Sequence, residues 1–165
     1  MRSFVVFLAL LTLAGCGSGA ANSGGTSGHP DDPVVSNYDE KSMSAAIEEA
    51  NSTLAKFDSE LKKKDAQYYG VKKGFATKGG GVEHCWVGFV TPDGDAYAGK
   101  MDNIPANLKE PLKEGDSVRV ERKEVSDWVV MKDGKLYGGY TIKVMEKSGN
   151  APPQKIVFGD IKDLK

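Results

Sequence analysis

Glu83-His84-Cys85 sets a carboxylate, an imidazole and a thiol side by side. Such a triplet invites two readings: a metal site, or a Cys–His pair in which the imidazole activates the thiol. Spacing argues against both. Val82 to Thr91 reads as a strand, and neighbours in a strand project from opposite faces. His84, Trp86 and Val90 are expected on one face, and Cys85, Val87 and Phe89 on the other. No Cys-x-x-Cys or His-Glu-x-x-His motif accompanies them. The other histidine, His29, stands beside Asp31 and Asp32 in a polar stretch and reads as solvated. Neither a metal nor a cofactor is expected, and Cys85 is expected to be a buried, unreactive thiol.

Asp127-Trp128 is the second candidate. An exposed Trp beside a carboxylate can line a ligand groove. The structural reading is a core Trp with the Asp accepting backbone N–H bonds at a bend. It is preferred, because Trp128 to Met131 is apolar at every position. Gly138-Gly139 points to a close backbone approach or a bulge. The Gly-rich turn from Thr77 to Gly81 precedes a strand and lacks a following Lys-Ser/Thr, so it is no phosphate loop.

The elements that must position these residues follow from periodicity. Residues 40 to 64 carry Met43, Ile47, Ala50, Leu54, Phe57 and Leu61 at three- and four-residue spacing. They are expected to form one helix capped by Asp39 or Ser42. Lys62 to Lys64 suit its C-terminal dipole. Strands are expected at 68–75, 82–91, 96–101 and 115–120 and through Trp128. Lys132-Asp133-Gly134-Lys135 is a hairpin signal, since Asp-Gly supplies the positive φ of a tight turn. A strand with Leu136, Gly138, Tyr140, Ile142 and Val144 on one face is expected after it. Pro152-Pro153 breaks structure, Ile156 to Phe158 is a candidate edge strand, and the last residues are expected to fray.

The N-terminus reads as an address. Arg2, the apolar run Phe4 to Leu13, and Leu13-Ala14-Gly15-Cys16 have the form of a bacterial lipobox. The Cys16 thiol would take diacylglycerol and become the first mature residue. Gly17 is not Asp, which implies the outer membrane facing the periplasm if the cell is Gram-negative. Gly17 to Pro33 is a Gly/Ser-rich tether that cannot bury enough apolar surface to order itself. Over the whole chain, 22 basic residues face 23 acidic ones; removing residues 1–15 removes Arg2 and leaves a net charge of −2. This balance gives no footprint for nucleic acid.

Several stretches together resemble a known family. They are Ala46-Ile47 to Phe57, Lys72, Glu83-His84 with Trp86-Val87, Asn103 with Pro105, Gly115-Asp116 with Val118, Asp127-Trp128, and Lys135 with Gly138-Gly139-Tyr140-Thr141. In this order they resemble the YegJ-like bacterial family over roughly residues 40 to 147. The resemblance implies fold boundaries and transfers no activity. Cys85 departs from the aromatic or aliphatic residue expected between His84 and Trp86.

The reading is α+β: an N-terminal helix on a twisted, mostly antiparallel sheet of five or six strands, curled toward a partial barrel. The organisation is a signal peptide (1–15), lipidated Cys16 and tether (16–38), a globular domain (39–147) and a tail (148–165). The expected function is a lipid-anchored cell-envelope module that binds an envelope protein or ligand without catalysis. The candidate binding or structural positions are Glu83, His84, Trp86, Asp127, Trp128, Gly138, Gly139 and Thr141. The alternatives are an envelope hydrolase using Glu83, His84 and Asp127, or an immunity or inhibitor protein that binds a toxin.

Overall fold

The computed structural model describes residues 38–149 and 155–164. Cys16, His29, the tether and Pro152-Pro153 lie outside them. Six antiparallel strands form one open sheet in the order β4-β3-β2-β1-β5-β6. They are β1 (Tyr68–Ala76), β2 (Val82–Asp93), β3 (Ala96–Met101), β4 (Ser117–Glu121), β5 (Val125–Lys132) and β6 (Lys135–Gly138). The fold is α+β. The sheet ends on two edges and does not curl into a barrel.

Helices α1 (Glu40–Ser52) and α2 (Leu54–Lys63) cover one face. The Asp39 carboxylate accepts from the Ser42 N–H at 2.9 Å and caps α1. The single helix expected over 40–64 is broken at Thr53. There the side-chain hydroxyl donates back to the Glu49 carbonyl at 2.9 Å and also meets the Tyr140 hydroxyl and the Trp128 indole. A hydroxyl that bonds back four residues bends a helix. The break lets both helices follow the twisted sheet with one apolar stripe. Ala46, Ala50, Leu54, Phe57 and Leu61 are all buried in the main core.

The apolar run Trp128 to Met131 lies in β5, where Val125 through Val130 are buried on both faces and Met131 is half-buried. Asp133 and Gly134 both take positive φ, at 53° and 73°, and close the β5–β6 hairpin. The long strand expected from Leu136 to Val144 is not formed. β6 stops at Gly138, and helix α3 (Tyr140–Lys147) begins. Gly138 has φ 74° and passes so close to the Trp128 carbonyl that a Cβ would collide with it. The chain turns there and cannot continue as a strand. Tyr140 and Val144, four apart, suit a helix as well as an alternating strand.

The described residues 155–164 pack back on the domain and do not fray as expected. Leu136 pairs with Phe158 in a short parallel bridge, so this segment does extend the β6 edge. Leu164 is buried in the main core.

Candidate functional site

The three central strands converge on Lys72. In β1 it lies opposite Trp86 of β2 and opposite Asp127 of β5, so the three share the face away from α1 and α2. Lys72 Nζ donates to Thr141 Oγ1 at 3.2 Å and lies 5.5 Å from the centre of the Trp86 ring. The Thr141 hydroxyl donates onward to Asp127 Oδ2 at 2.7 Å. A hydroxyl therefore stands between the ammonium and the carboxylate. Burial pulls the Lys72 ammonium below the usual lysine range, while the charges of Asp127 and Cys85 act the other way.

Asp127 is fully buried. Its Oδ1 accepts from the Trp128 and Tyr140 N–H groups at 2.8 and 3.1 Å. Its Oδ2 accepts from the Thr141 N–H at 2.8 Å besides the hydroxyl. The carboxylate thus caps α3 from a neighbouring strand and replaces the side-chain cap that Gly139 cannot supply. Burial raises its pKa above the usual carboxylate value. The Thr141 donors, the Lys72 charge and the Trp128 N–H oppose that shift.

A bulge places the next pair. The β1–β5 register skips Ser126 between Lys72 and Lys73. The Ser126 hydroxyl donates to the Lys72 carbonyl at 3.2 Å and lies 2.9 Å from His84 Nδ1. With that proton committed to the carbonyl, Nδ1–H is the donor of the pair and Nε2 keeps its lone pair. Burial, then the Lys72 charge, lower the His84 pKa and favour the neutral ring.

Glu83 lies elsewhere. In the register it opposes Phe75, a residue of the main core. Its carboxylate accepts from the Ala106 and Asn107 N–H groups at 3.0 and 3.3 Å and holds the loop after β3. The grouping Glu83, His84 and Asp127 is therefore not brought together. His84 and Asp127 share a face with Lys72 between them, and Glu83 is on the other. Trp128, Gly138 and Gly139 frame the start of α3, and Trp128 itself is core.

Cys85 is 1% exposed and packs with Val87, as expected. Burial, then the neighbouring Glu83, push its thiol up to about 12. Thiolate is the reactive form. A maleimide reagent at pH 7.5 should modify Cys85 only after denaturation; labelling of the native chain within minutes would contradict this placement.

The remainder of the β2 reading needs correction. Phe89 does not join Cys85 and Val87. The β2–β3 register shifts between Gly88 and Thr91 and reverses the alternation. Val90 turns into the core, and Phe89 turns out with φ 52° and 64% exposure. Its ring meets Tyr68 edge-on at 5.2 Å. Tyr68 lies over Gly88, where a Cβ would come within 2.7 Å of its hydroxyl, and donates to Asp102 Oδ2 at 2.6 Å. Beside Phe89 runs an open groove of about 440 Å³ over β3 and β4, with Lys100, Ser117 and Arg119 on its walls.

Sequence reasoning missed Ser126, Phe89, Tyr68 and Asp102, and gave Lys72 no role. The glycines that flank Lys72 in β1 serve other residues: Tyr68 lies over Gly70, and Val82 and His84 lie over Gly74. The bulges that place Ser126 and Phe89 leave no signal in the sequence.

The chain belongs to the family described as "Uncharacterized protein conserved in bacteria (DUF2314)", whose profile matches residues 40–155. Among curated proteins it is similar to "Uncharacterized protein YegJ" of Escherichia coli strain K12. The two are 34% identical over 109 residues, which cover 66% of this chain and 70% of that protein. It is also similar to a "Putative ankyrin repeat protein" of Neisseria meningitidis serogroup B. That match is 36% identical over 85 residues, which cover 47% of this chain and 33% of the longer relative. No solved structure matches.

Proposed function

We propose that this protein is a lipid-anchored, non-catalytic module of the cell envelope, held through Cys16, that captures an envelope protein on the outer face of its sheet around Phe89. The observation that carries the reading is the backbone of Phe89. A bulky residue at φ 52° is an outlier for an L-amino acid, and here it serves to expose the ring. The ring keeps one edge-on contact, with Tyr68, and stays 64% exposed; an exposed aromatic beside a groove suits binding. The lipobox supports anchoring, and the Gly/Ser-rich tether would let the domain reach a partner away from the bilayer. The commitment of Asp127 and Glu83 to backbone N–H groups supports binding over hydrolysis.

Phe89→Gly separates binding from folding. Glycine adopts φ 52° without strain, so the variant should melt within a few degrees of the parent. Both are recovered from detergent-solubilised envelopes after brief cross-linking. The parent should retain a saturable partner, and the variant should lose at least tenfold of it. Equal recovery would remove Phe89 from the interface. Mass measurement of the parent should show residues 1–15 absent and a diacylglyceryl addition, and Cys16→Ser should leave the membrane fraction. Turnover on peptidoglycan, ester or phosphoester substrates that vanishes in folded His84→Ala would favour the hydrolase reading instead.

A further inference from the structure

Phe89 is the most exposed large hydrophobic side chain among the described residues. The strand registers set three rows of side chains around it on the outer face. Gly88, Lys100 and Ser117 make the first row, Thr91, Ala98 and Arg119 the second, and Asp93, Ala96 and Glu121 the third. The groove beside Phe89 lies over the first two rows, with the small Ala98 and Gly99 among its lining residues.

Charge divides along the strands. In the first row, exposed Lys100 donates to Ser117 Oγ at 2.8 Å and enters none of the ion pairs among the described residues. Asp102 also approaches Gly88, but it is half-buried and accepts from the Tyr68 hydroxyl. In the third row, Asp93 and Glu121 share one cation, Arg119, which reaches both from the second row. Two carboxylates on one guanidinium leave that end negative. A lysine therefore stands at one end of the Phe89 groove and an excess carboxylate at the other.

We propose that the envelope protein captured at Phe89 is a second copy of this chain, docked outer face to outer face with its strands antiparallel. The proposal rests on the reading of Phe89 as the capture residue and adds the partner. A twofold axis running across the strands lays the first row of each copy over the third row of the other. Lys100 then meets Asp93 and Glu121 of the second copy, and the contact occurs twice. Each Phe89 ring lies near the axis and enters the groove of the opposite copy. A twofold axis along the strands would instead set lysine against lysine and carboxylate against carboxylate, which like-charge repulsion disfavours. An interface with one aromatic anchor per copy is weak in dilute solution. Copies held through Cys16 on one membrane would share a surface, which raises their effective concentration.

Sedimentation equilibrium of the full chain in density-matched detergent, across micromolar concentrations, measures self-association. The parent should form a dimer whose fraction rises with concentration. Phe89→Gly, shown to be folded by its melting curve, should self-associate more weakly by about tenfold or more. Lys100→Glu and Asp93→Lys should each weaken self-association, because each sets like charges together at both contacts. Mixed in equal amounts, those two variants restore opposite charges at both contacts and should pair as tightly as the parent. A mixture no tighter than either variant alone would overturn the antiparallel arrangement. A dimer that persists in folded Phe89→Gly would overturn the interface. A parent that stays monomeric would overturn the self-partner without any variant. The cross-linking comparison then decides the Phe89 reading separately: a different protein, recovered with the parent and lost with Phe89→Gly, would uphold that reading.

Discussion

Asp127→Ala is expected to lower the unfolding free energy by about 3–5 kcal/mol, because it strips the acceptor from four donors at a buried site, each costing about 1–3 kcal/mol when left unsatisfied. The loss has three sources. The Trp128, Tyr140 and Thr141 N–H groups and the Thr141 hydroxyl lose their acceptor. Helix α3 loses its only side-chain cap among the described residues, because Gly139 has none to offer. Lys72 keeps its charge and loses the nearby carboxylate that offsets burial. Asp127→Asn should recover little of this. Each carboxylate oxygen accepts two donors, and an amide must turn its NH₂ group toward one of those pairs. Urea unfolding midpoints of parent, Ala and Asn variants measure the effect. Hydrogen exchange at Tyr140 and Thr141 should rise in both variants before global unfolding. An Asn variant as stable as the parent would show that the carboxylate is not held ionised by these four donors.

Trp128→Ala is expected to cost about 3–5 kcal/mol as well, by a different route. Trp128 is 0% exposed. Its ring packs 5.6 Å from Phe57 and 5.9 Å from Tyr140, and its indole N–H donates to the Ala50 carbonyl at 3.0 Å. That carbonyl lies at the break between α1 and α2, so one side chain joins β5, both helices and α3. Alanine would leave a large cavity and remove the indole donor from the Ala50 carbonyl, which keeps only the longer contact from the Thr53 hydroxyl at 3.2 Å. Trp128→Phe keeps most of the apolar volume and should recover more than half of the loss. A urea midpoint unchanged in Trp128→Ala would place the ring at the surface and reopen the ligand-groove reading.

The two variants differ in what they report. Asp127 concerns the outer face and the start of α3, while Trp128 concerns the helix-covered core. Neither touches Phe89. A stability loss in both, together with unaltered stability in Phe89→Gly, would separate the framework from the proposed binding surface.

Much of the framework is local and was therefore legible in the chain alone. Asp39 caps a helix because its carboxylate reaches an N–H three residues on. Asp133-Gly134 closes a hairpin because both positions need positive φ. Trp128 to Val130 are buried on both faces of β5 because the run Trp128 to Met131 has no polar side to expose, and Asp127 finds its partners in backbone N–H groups, as its setting before Trp128 implied. The family likeness was also carried by residues spread along the sequence. These features depend on neighbours within a few positions, where propensity and periodicity operate.

What only the tertiary structure decided depends on partners far apart in sequence. The break at Thr53 follows from a hydroxyl that serves Trp128 and Tyr140, more than seventy positions away. α3 replaces the expected strand because Gly138 must pass the Trp128 backbone and Asp127 offers a cap across the sheet. Two register shifts move Ser126 beside His84 and turn Phe89 outward, and an alternation pattern carries no information about where a bulge will fall. The meeting of Lys72, Trp86, Asp127 and Thr141 is a product of strand order. Three strands and a helix start must be adjacent before Lys72, Thr141 and Asp127 can join in one chain of hydrogen bonds.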